Sequence, residues 1–299
     1  MSEVRFDEKV VVITGAGRGL GFSYAELIGA RGAKLVVNDV MGAEEAVAKL
    51  RENGVEAVAD SSDISTEEGA KALIQVAMDN YGRVDAVINN AGVYRGCCPF
   101  DQNPENYWND CMKVNVNGTY YVCRAVWPIF KAQGGGKILN TSSTAGLLGH
   151  YDCVSYSTSK GAVYGMIRAL AIEGAALNIQ VNGIAPGAFT AMSAAVEMPE
   201  EYKAKLAEEM PTELVAPAAA YLIHESCDCT GRVFEVLCGR VGELFMGNTI
   251  GLYDRELTIE KVRDNWDIVT DRTDYRVLPR GDQNTEVIML AAEAAAKRA

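Results

Sequence analysis

The chain has 299 residues, of which 48% are apolar, and a formal net charge of −12. That acidity argues against a nucleic-acid or anionic-membrane surface, since either needs a basic patch to neutralise phosphates. No Pro/Ser/Gly-rich linker, repeat or low-complexity tract divides the sequence, so a single large domain over 1–250 with an extension over 251–299 fits better than two average domains.

Lys9–Thr14 (KVVVIT) is a β-branched run without polar interruption, the pattern of a strand buried on both faces of a parallel sheet. A glycine turn follows, then a helical pattern over Arg18–Arg31. Lys34–Asn38 reads as a second strand, Ala43–Asn53 as a second helix and Val55–Asp60 as a third strand. Thr66–Tyr81 is a third helix and Val84–Asn89 a fourth strand. Asn106–Lys131 reads as one long helix, Gly136–Asn140 as a fifth strand and Ser155–Ala176 as another helix. Ile179–Ile184, Glu213–His224 and Arg232–Leu237 complete the set as strand, helix and seventh strand. This alternation with short connections predicts an α/β domain on a doubly wound, parallel, seven-stranded sheet of the Rossmann type. In the extension, Thr258–Thr270 reads as an amphipathic helix with a threonine cap, and the alanine-rich tail from Glu286 as a second helix. Such an extension can pack on the domain or on a neighbouring subunit.

The cysteines (97, 98, 111, 123, 153, 227, 229 and 238) form no C-x-x-C pair, and only His150 and His224 could assist them. No metal, redox centre or disulfide framework is expected; buried or half-buried thiols in a reducing compartment are. The N-terminal segment lacks the apolar core of a signal peptide, and Lys-Arg-Ala at the C-terminus is not a peroxisomal tripeptide, so cytoplasmic residence is the expectation.

Between the first strand and first helix, Gly15, Gly19 and Gly21 form G-x-x-x-G-x-G rather than G-x-G-x-x-G. Glycines here permit a tight turn, a close approach to a pyrophosphate and tight helix–strand packing, while the helix N-terminus offers free N–H groups. Asp39 ends the second strand, where a carboxylate accepts bonds from the adenosine ribose hydroxyls and repels a 2′-phosphate. Arg18 pulls the other way, toward a 2′-phosphate, unless it covers the adenine. Asp39 decides the expectation: NAD over NADP.

Tyr156 and Lys160 share one face of a predicted helix by their i, i+4 spacing. A phenol is a poor base at neutral pH, and a cation held nearby stabilises its phenolate. Ser143 follows the fifth strand, where its hydroxyl can hold a carbonyl or carbinol oxygen. Alone, Y-x-x-x-K is a common surface pair. Its weight comes from following, in order, the glycine turn, Asp39, Asp63, Asn89–Gly92, Asn115 and Ser143, and preceding Pro186–Gly187.

On these motifs the chain resembles the short-chain dehydrogenase/reductase family over roughly residues 8–240. Thr14–Gly21 matches T-G-x-x-x-G-x-G, Asn89–Gly92 matches N-N-A-G, and Tyr156–Lys160 matches Y-x-x-x-K. The resemblance implies that Tyr156 is the catalytic acid/base, Lys160 lowers its pKa and binds the nicotinamide ribose, and Ser143 orients the substrate oxygen. It implies that Asn115 holds a water linking Lys160 to a proton relay, that Asp63 and Ile64 contact adenine, and that Asn90 contacts the adjacent ribose. Pro186-Gly187 opens the family's P-G-x-x-x-T, whose threonine meets the nicotinamide carboxamide; here Thr190 comes one residue early. The late glycine-rich strand motif becomes Val236-Leu-Cys-Gly-Arg240. A closer similarity, carried by Arg5–Asp7, Val37–Asp39, His224–Cys227 and Phe234–Val236, is to the dehydrogenase module of peroxisomal multifunctional β-oxidation enzymes and their bacterial relatives.

That similarity implies a 3-hydroxyacyl-CoA or steroid-like alcohol as substrate and a homodimer or homotetramer as the assembly. The alternatives are a dehydrogenase of another hydrophobic alcohol, such as a terpene or aromatic alcohol, and a dinucleotide sensor without turnover. A sensor has no use for an activated phenol, which disfavours the last. Thr190–Pro211, with Met192, Met198, Tyr202 and Met210, is either a mobile lid over an apolar substrate or an ordinary surface helix pair. His150 and Cys153 are expected to border the pocket.

Overall fold

The computed structural model describes residues 3–194 and 198–298. The chain forms two compact units, Met1–Glu243 and Leu244–Ala299. The first is built on a sheet of eight strands in the order β3-β2-β1-β4-β5-β6-β7-β8. These are β1 (Val10–Thr14), β2 (Lys34–Asn38), β3 (Ala57–Asp60), β4 (Ala86–Asn89), β5 (Gly136–Thr141), β6 (Ile179–Gly187), β7 (Val233–Leu237) and β8 (Arg240–Leu244). From β3 to β7 every pairing is parallel. All five residues of β1 are buried, which is why the run carries no polar side chain before Thr14.

The order reverses between β1 and β4, leaving a crevice past the carboxyl ends of these strands. On one face α1 (Gly19–Ala30) packs with α2 (Ala43–Glu52) and α10 (Ala216–Ile223); on the other, α3 (Glu67–Tyr81) packs with α5 (Thr119–Gln133). Local sequence sets these ends. Thr66 caps α3 by accepting from the Gly69 N–H, and Gly82, at φ +71°, closes it.

The sequence predicts seven strands and the sheet has eight. Cys238 and Gly239 both take positive φ, 49° and 76°, and make a two-residue hairpin turn that lays β8 beside β7. The departure at Val236–Arg240 is therefore a turn. The predicted long helix over Asn106–Lys131 is also interrupted. It starts as α4 (Glu105–Asp110), widens to a π-helix over Cys111–Gly118, and resumes as α5, which accommodates Pro128. Apolar periodicity does not separate the two helix types; side-chain bonds from Asn115 to neighbouring segments accompany the widening.

Two further helices complete the carboxyl edge: α6 (Thr144–Leu148) and the long α7 (Val154–Gly174). They touch at Gly146, where an added Cβ would stand 2.5 Å from the Lys160 backbone. The segment expected as a lid contains α8 (Ala191–Ala194) and α9 (Glu200–Glu209), and its ends are joined by the Phe189 N–H to the Met210 carbonyl at 2.7 Å. Residues 195–197 of that segment lie outside the described residues.

In the second unit β9 (Asn248–Thr249) pairs antiparallel with β10 (Tyr275–Arg276). The predicted helix over Thr258–Thr270 is capped by Thr258, which accepts from the Lys261 N–H at 3.2 Å. It is split into α11 (Ile259–Asp264) and α12 (Trp266–Thr270), because Asn265 leaves helical geometry and turns its amide back onto the Lys261 carbonyl. A final helix, α13, covers Thr285–Arg298. Among the described residues no helix is long and apolar enough to cross a membrane.

Candidate active site

The glycine turn is shaped by steric necessity. Gly15 sits at φ +62°, and a Cβ there would lie 2.7 Å from Ala91 Cα; one on Gly21 would lie 2.3 Å from the Gly15 carbonyl oxygen. Thr14 and Asn90 clamp the turn. The Thr14 hydroxyl accepts the Asn90 and Ala91 N–H groups at 3.1 Å each, and Asn90 Nδ2 donates to the Thr14 and Gly15 carbonyls at 3.1 and 2.9 Å. Asn90 is thus engaged in holding the turn, with its Oδ1 left for a ligand. At the start of α1 no side chain caps the helix, so its first N–H groups face the crevice without a protein acceptor from the N-cap residue.

Asp39 stands beside this turn. Its Oδ2 accepts the Gly17 N–H and its Oδ1 the Met41 N–H, both at 3.1 Å. The exposed Arg18 guanidinium has no ion-pair or hydrogen-bond partner among the described residues. Thr190, one residue early for its motif, borders Gly19 all the same: an added Gly19 Cβ would meet only the Thr190 side chain, at 3.7 Å or more. Pro186 and Gly187 end β6 opposite Val236 and Leu237. Ile64 is buried, with its side chain against Gly118, while Asp63 accepts the Ser65 N–H and hydroxyl at 2.9 and 2.6 Å. The hydroxyl of Ser65 holds the Asp63 carboxyl below its usual range.

At the chemical end, Ser143 closes the β5 edge and caps α6 by accepting the Ala145 N–H at 3.2 Å. Its hydroxyl lies beside the Tyr156 phenol and favours the phenolate. Lys160, one turn further along α7, is buried at 3% exposure; its Nζ donates to the Thr141 carbonyl at 2.8 Å and stands 5.7 Å from the Tyr156 ring centre. Gly92 keeps that ammonium accessible, since a Cβ there would lie 3.4 Å from Nζ. Burial pushes the phenol up to about 12 against the pull of Ser143, and pushes Lys160 down to about 8. Each group alone resists ionisation; as phenolate and ammonium they stabilise one another.

Asn115 lies in the π-helical stretch, buried, with its side chain fully used. Oδ1 accepts the Val93 N–H at 2.7 Å, and Nδ2 donates to the Val93 carbonyl and the Ser159 hydroxyl at 3.0 Å each. Ser159 donates in turn to the Tyr156 carbonyl at 2.7 Å. All four expected catalytic residues therefore meet at the carboxyl edge of β4 and β5.

Several contributors carry no motif. Thr141 anchors Lys160 through a backbone carbonyl, and Ser142 donates to the Lys160 carbonyl at 2.9 Å. Tyr94 sets its ring edge against Tyr156, centres 5.5 Å apart and planes at 87°. Only its place just past N-N-A-G could have pointed to it. Cys97, His150 and Cys153 bring their ligand atoms within 4.8 Å of one another beside Tyr94. His224, by contrast, is far from this edge: it packs edge-on to Phe6 and its Nε2 lies 3.0 Å from the Arg5 carbonyl. The segments Arg5–Asp7 and His224–Cys227 thus serve each other. A cavity of about 390 Å³ lies at the opposite, amino edge of the sheet, lined among others by Lys9, Asp85, Lys137 and Gln180.

A family model described as short chain dehydrogenase matches residues 9–201. The mouse peroxisomal multifunctional enzyme type 2 is 39% identical over 90% of this chain, which spans 38% of that enzyme. The structure of the full-length Drosophila melanogaster enzyme of the same name superposes with a TM-score of 0.81 at 32% identity, covering 97% of this chain and 50% of that one. A 7α-hydroxysteroid dehydrogenase in complex with NADH and 7-oxo glycochenodeoxycholic acid gives a TM-score of 0.73 at 32% identity, covering 79% of this chain and 95% of that one. The chain thus spans 38% of the mouse enzyme and 50% of the Drosophila one.

Proposed function

Because the chain belongs to the short-chain dehydrogenase family, oxidoreductases acting on CH–OH groups, we propose that it interconverts a secondary alcohol and a ketone with NAD, on a 3-hydroxyacyl-CoA or steroid-like substrate. The observation that carries the reading is the placing of Tyr156 and Lys160 on one face of α7 beside Ser143, with the buried Lys160 ammonium 5.7 Å from the tyrosine ring centre.

A nicotinamide cofactor fits the residues present: the glycine turn admits no Cβ at Gly15 or Gly21, and α1 starts without a side-chain cap. When bound, it supplies the hydride acceptor or donor. Gly15, Gly19 and Gly21 with the first N–H groups of α1 receive its diphosphate. Asp39 has acceptor capacity left on both oxygens for the ribose hydroxyls and opposes a 2′-phosphate, which supports NAD. Asp63, Ile64 and Asn90 face the adenosine half, with Arg18 over the adenine; Pro186, Gly187 and Thr190 face the nicotinamide half. Ser143 holds the substrate oxygen, and the Tyr156 phenolate takes its proton in oxidation and returns it in reduction. Lys160 holds the phenolate charge. Asn115 fixes the Val93 backbone and Ser159 around this pair.

The substrate class rests on the resemblance to the multifunctional β-oxidation module and on the steroid-binding structural neighbour. We take the assembly to be a homodimer or homotetramer joined through α5 and α7, which leave Tyr120 and Ile172 half-exposed. Eight free thiols fit a reducing, cytoplasmic setting. The test is NADH formation with a panel of 3-hydroxyacyl-CoAs, hydroxysteroids and monoterpenols, with NADP in parallel. Turnover of a terpenol alone would overturn the substrate class, and preference for NADP would overturn the cofactor.

A further inference from the structure

Two loops meet beside Tyr156. One follows β4 and carries Tyr94, Cys97 and Cys98; the other, residues 149–153, leads into α7. The Cys98 N–H donates to the Asp152 carbonyl at 2.7 Å, and Asn103 Nδ2 donates to the Ser155 hydroxyl at 2.8 Å. Asp152 holds φ +53°, an uncommon conformation for a residue other than glycine. At this junction Cys97 Sγ, Cys153 Sγ and a His150 ring nitrogen all lie within 4.8 Å of one another.

A tetrahedral zinc, with bonds of about 2.3 Å to sulfur and about 2.0 Å to nitrogen, sets its ligand atoms roughly 3.5–3.8 Å apart. The three groups therefore need side-chain adjustments on the order of 1 Å to close on a metal. His150 Nδ1 lies 3.0 Å from the Tyr151 carbonyl, and donation there leaves Nε2 with its lone pair. Cys97 Sγ also lies 2.9 Å from the Tyr94 hydroxyl, which offers an oxygen for a fourth position. Two thiolates and an imidazole favour zinc over magnesium or calcium. No sequence spacing announces the set, because positions 97, 150 and 153 come from two separate loops.

We propose that Cys97, His150 and Cys153 form a zinc-binding site that staples together the two loops bordering the catalytic tyrosine. On binding, two Zn–S bonds form, two thiol protons pass to solvent, and nothing is oxidised or reduced. Tyr94 links the site to the reaction, since it touches Cys97 with its hydroxyl and Tyr156 with its ring.

The experiment titrates the reduced, full-length, chelator-dialysed protein with zinc against a chromophoric chelator. We expect one zinc per chain, with affinity lowered about 100-fold in Cys97→Ser/Cys153→Ser and about tenfold or more in His150→Ala. At a hundredfold excess over Kd, zinc raises Tm by about 5 °C in the wild type and leaves the double variant unmoved. Cobalt in the same site gives a thiolate charge-transfer band that the double variant lacks. Absence of stoichiometric binding overturns the proposal. So does unchanged affinity in the double variant, which would move the metal elsewhere, for instance to Cys227 and Cys229, whose sulfurs lie 3.4 Å apart. If circular dichroism shows the double variant unfolded, His150→Ala decides alone: unchanged affinity there sinks the site.

Discussion

The two edges of the sheet both carry polar groups and use them in opposite ways. At the amino edge the charges are paired off: Lys9 with Glu225, Arg83 with Asp85, and Lys137 with Gln180 and the Cys227 carbonyl. Asp85 also accepts the Val10 N–H at the start of β1. At the carboxyl edge, groups stand short of partners among the described residues: an uncapped helix start, the Arg18 guanidinium, a buried Lys160 ammonium with one acceptor, and the unbonded, buried Thr141 hydroxyl. The 390 Å³ cavity belongs to the amino edge. Concavity alone therefore does not pick out the edge where the motif residues gather. Polar groups held ready without a partner locate it better, because such groups are retained against their desolvation penalty.

The contrast breaks or sharpens under mutation. The largest effect is expected from Tyr156→Phe, which removes the proposed acid/base and keeps the packing. NAD-linked turnover falls by about 10³-fold while the NADH dissociation constant stays within about threefold, measured by steady-state rates and fluorescence titration. Next, Asp39→Ala removes the charge proposed to oppose a 2′-phosphate. The ratio of kcat/KM for NAD over NADP drops by about 10²-fold.

Lys160→Met tests the other consequence of an under-partnered group, its penalty in stability. Burial lowers Lys160 from its ordinary 10.5 to about 8, so the folded state binds that proton more weakly than the unfolded chain does. Stability from this group is full above about 10.5 and is lost as pH falls toward about 8, so at neutral pH the wild type carries the whole penalty. Denaturant unfolding at pH 7 should show the variant more stable by about 1–3 kcal/mol, after loss of the Thr141 bond is set against the relief. The difference should shrink as pH rises through that window. The smallest effect belongs to the amino edge. Asp85→Asn weakens paired, structural bonds, costs about 1–2 kcal/mol, and leaves kcat/KM within about twofold. A larger loss of activity there would erase the distinction between the edges.

Much of this was legible in the sequence. Uninterrupted β-branched runs and glycine punctuation located β1 to β7, because two-sided burial and left-handed turns leave compositional marks. The motif residues of the site do come together at one edge. What stayed hidden depends on tertiary partners. The π-helical turn around Asn115 is accompanied by bonds to Val93 and Ser159, neither near it in sequence. The eighth strand turns on a Cys238-Gly239 hairpin that resembles an ordinary strand end. Thr141 contributes a backbone carbonyl, which no residue type betrays. The break at Asn265 comes from a side-chain bond to Lys261, within a run whose apolar spacing reads as continuous.

The central claim is that Lys160 holds the charge which lets the Tyr156 phenol act as base. It is tested most directly by the pH dependence of kcat/KM for alcohol oxidation in the wild type and in Lys160→Gln. The wild-type rate should climb tenfold per pH unit and level off at an apparent pKa below the value near 12 that burial, net of the Ser143 pull, gives the phenol, and in Lys160→Gln that break should move upward by about one unit or more. A break at the same pH in both proteins would contradict the account.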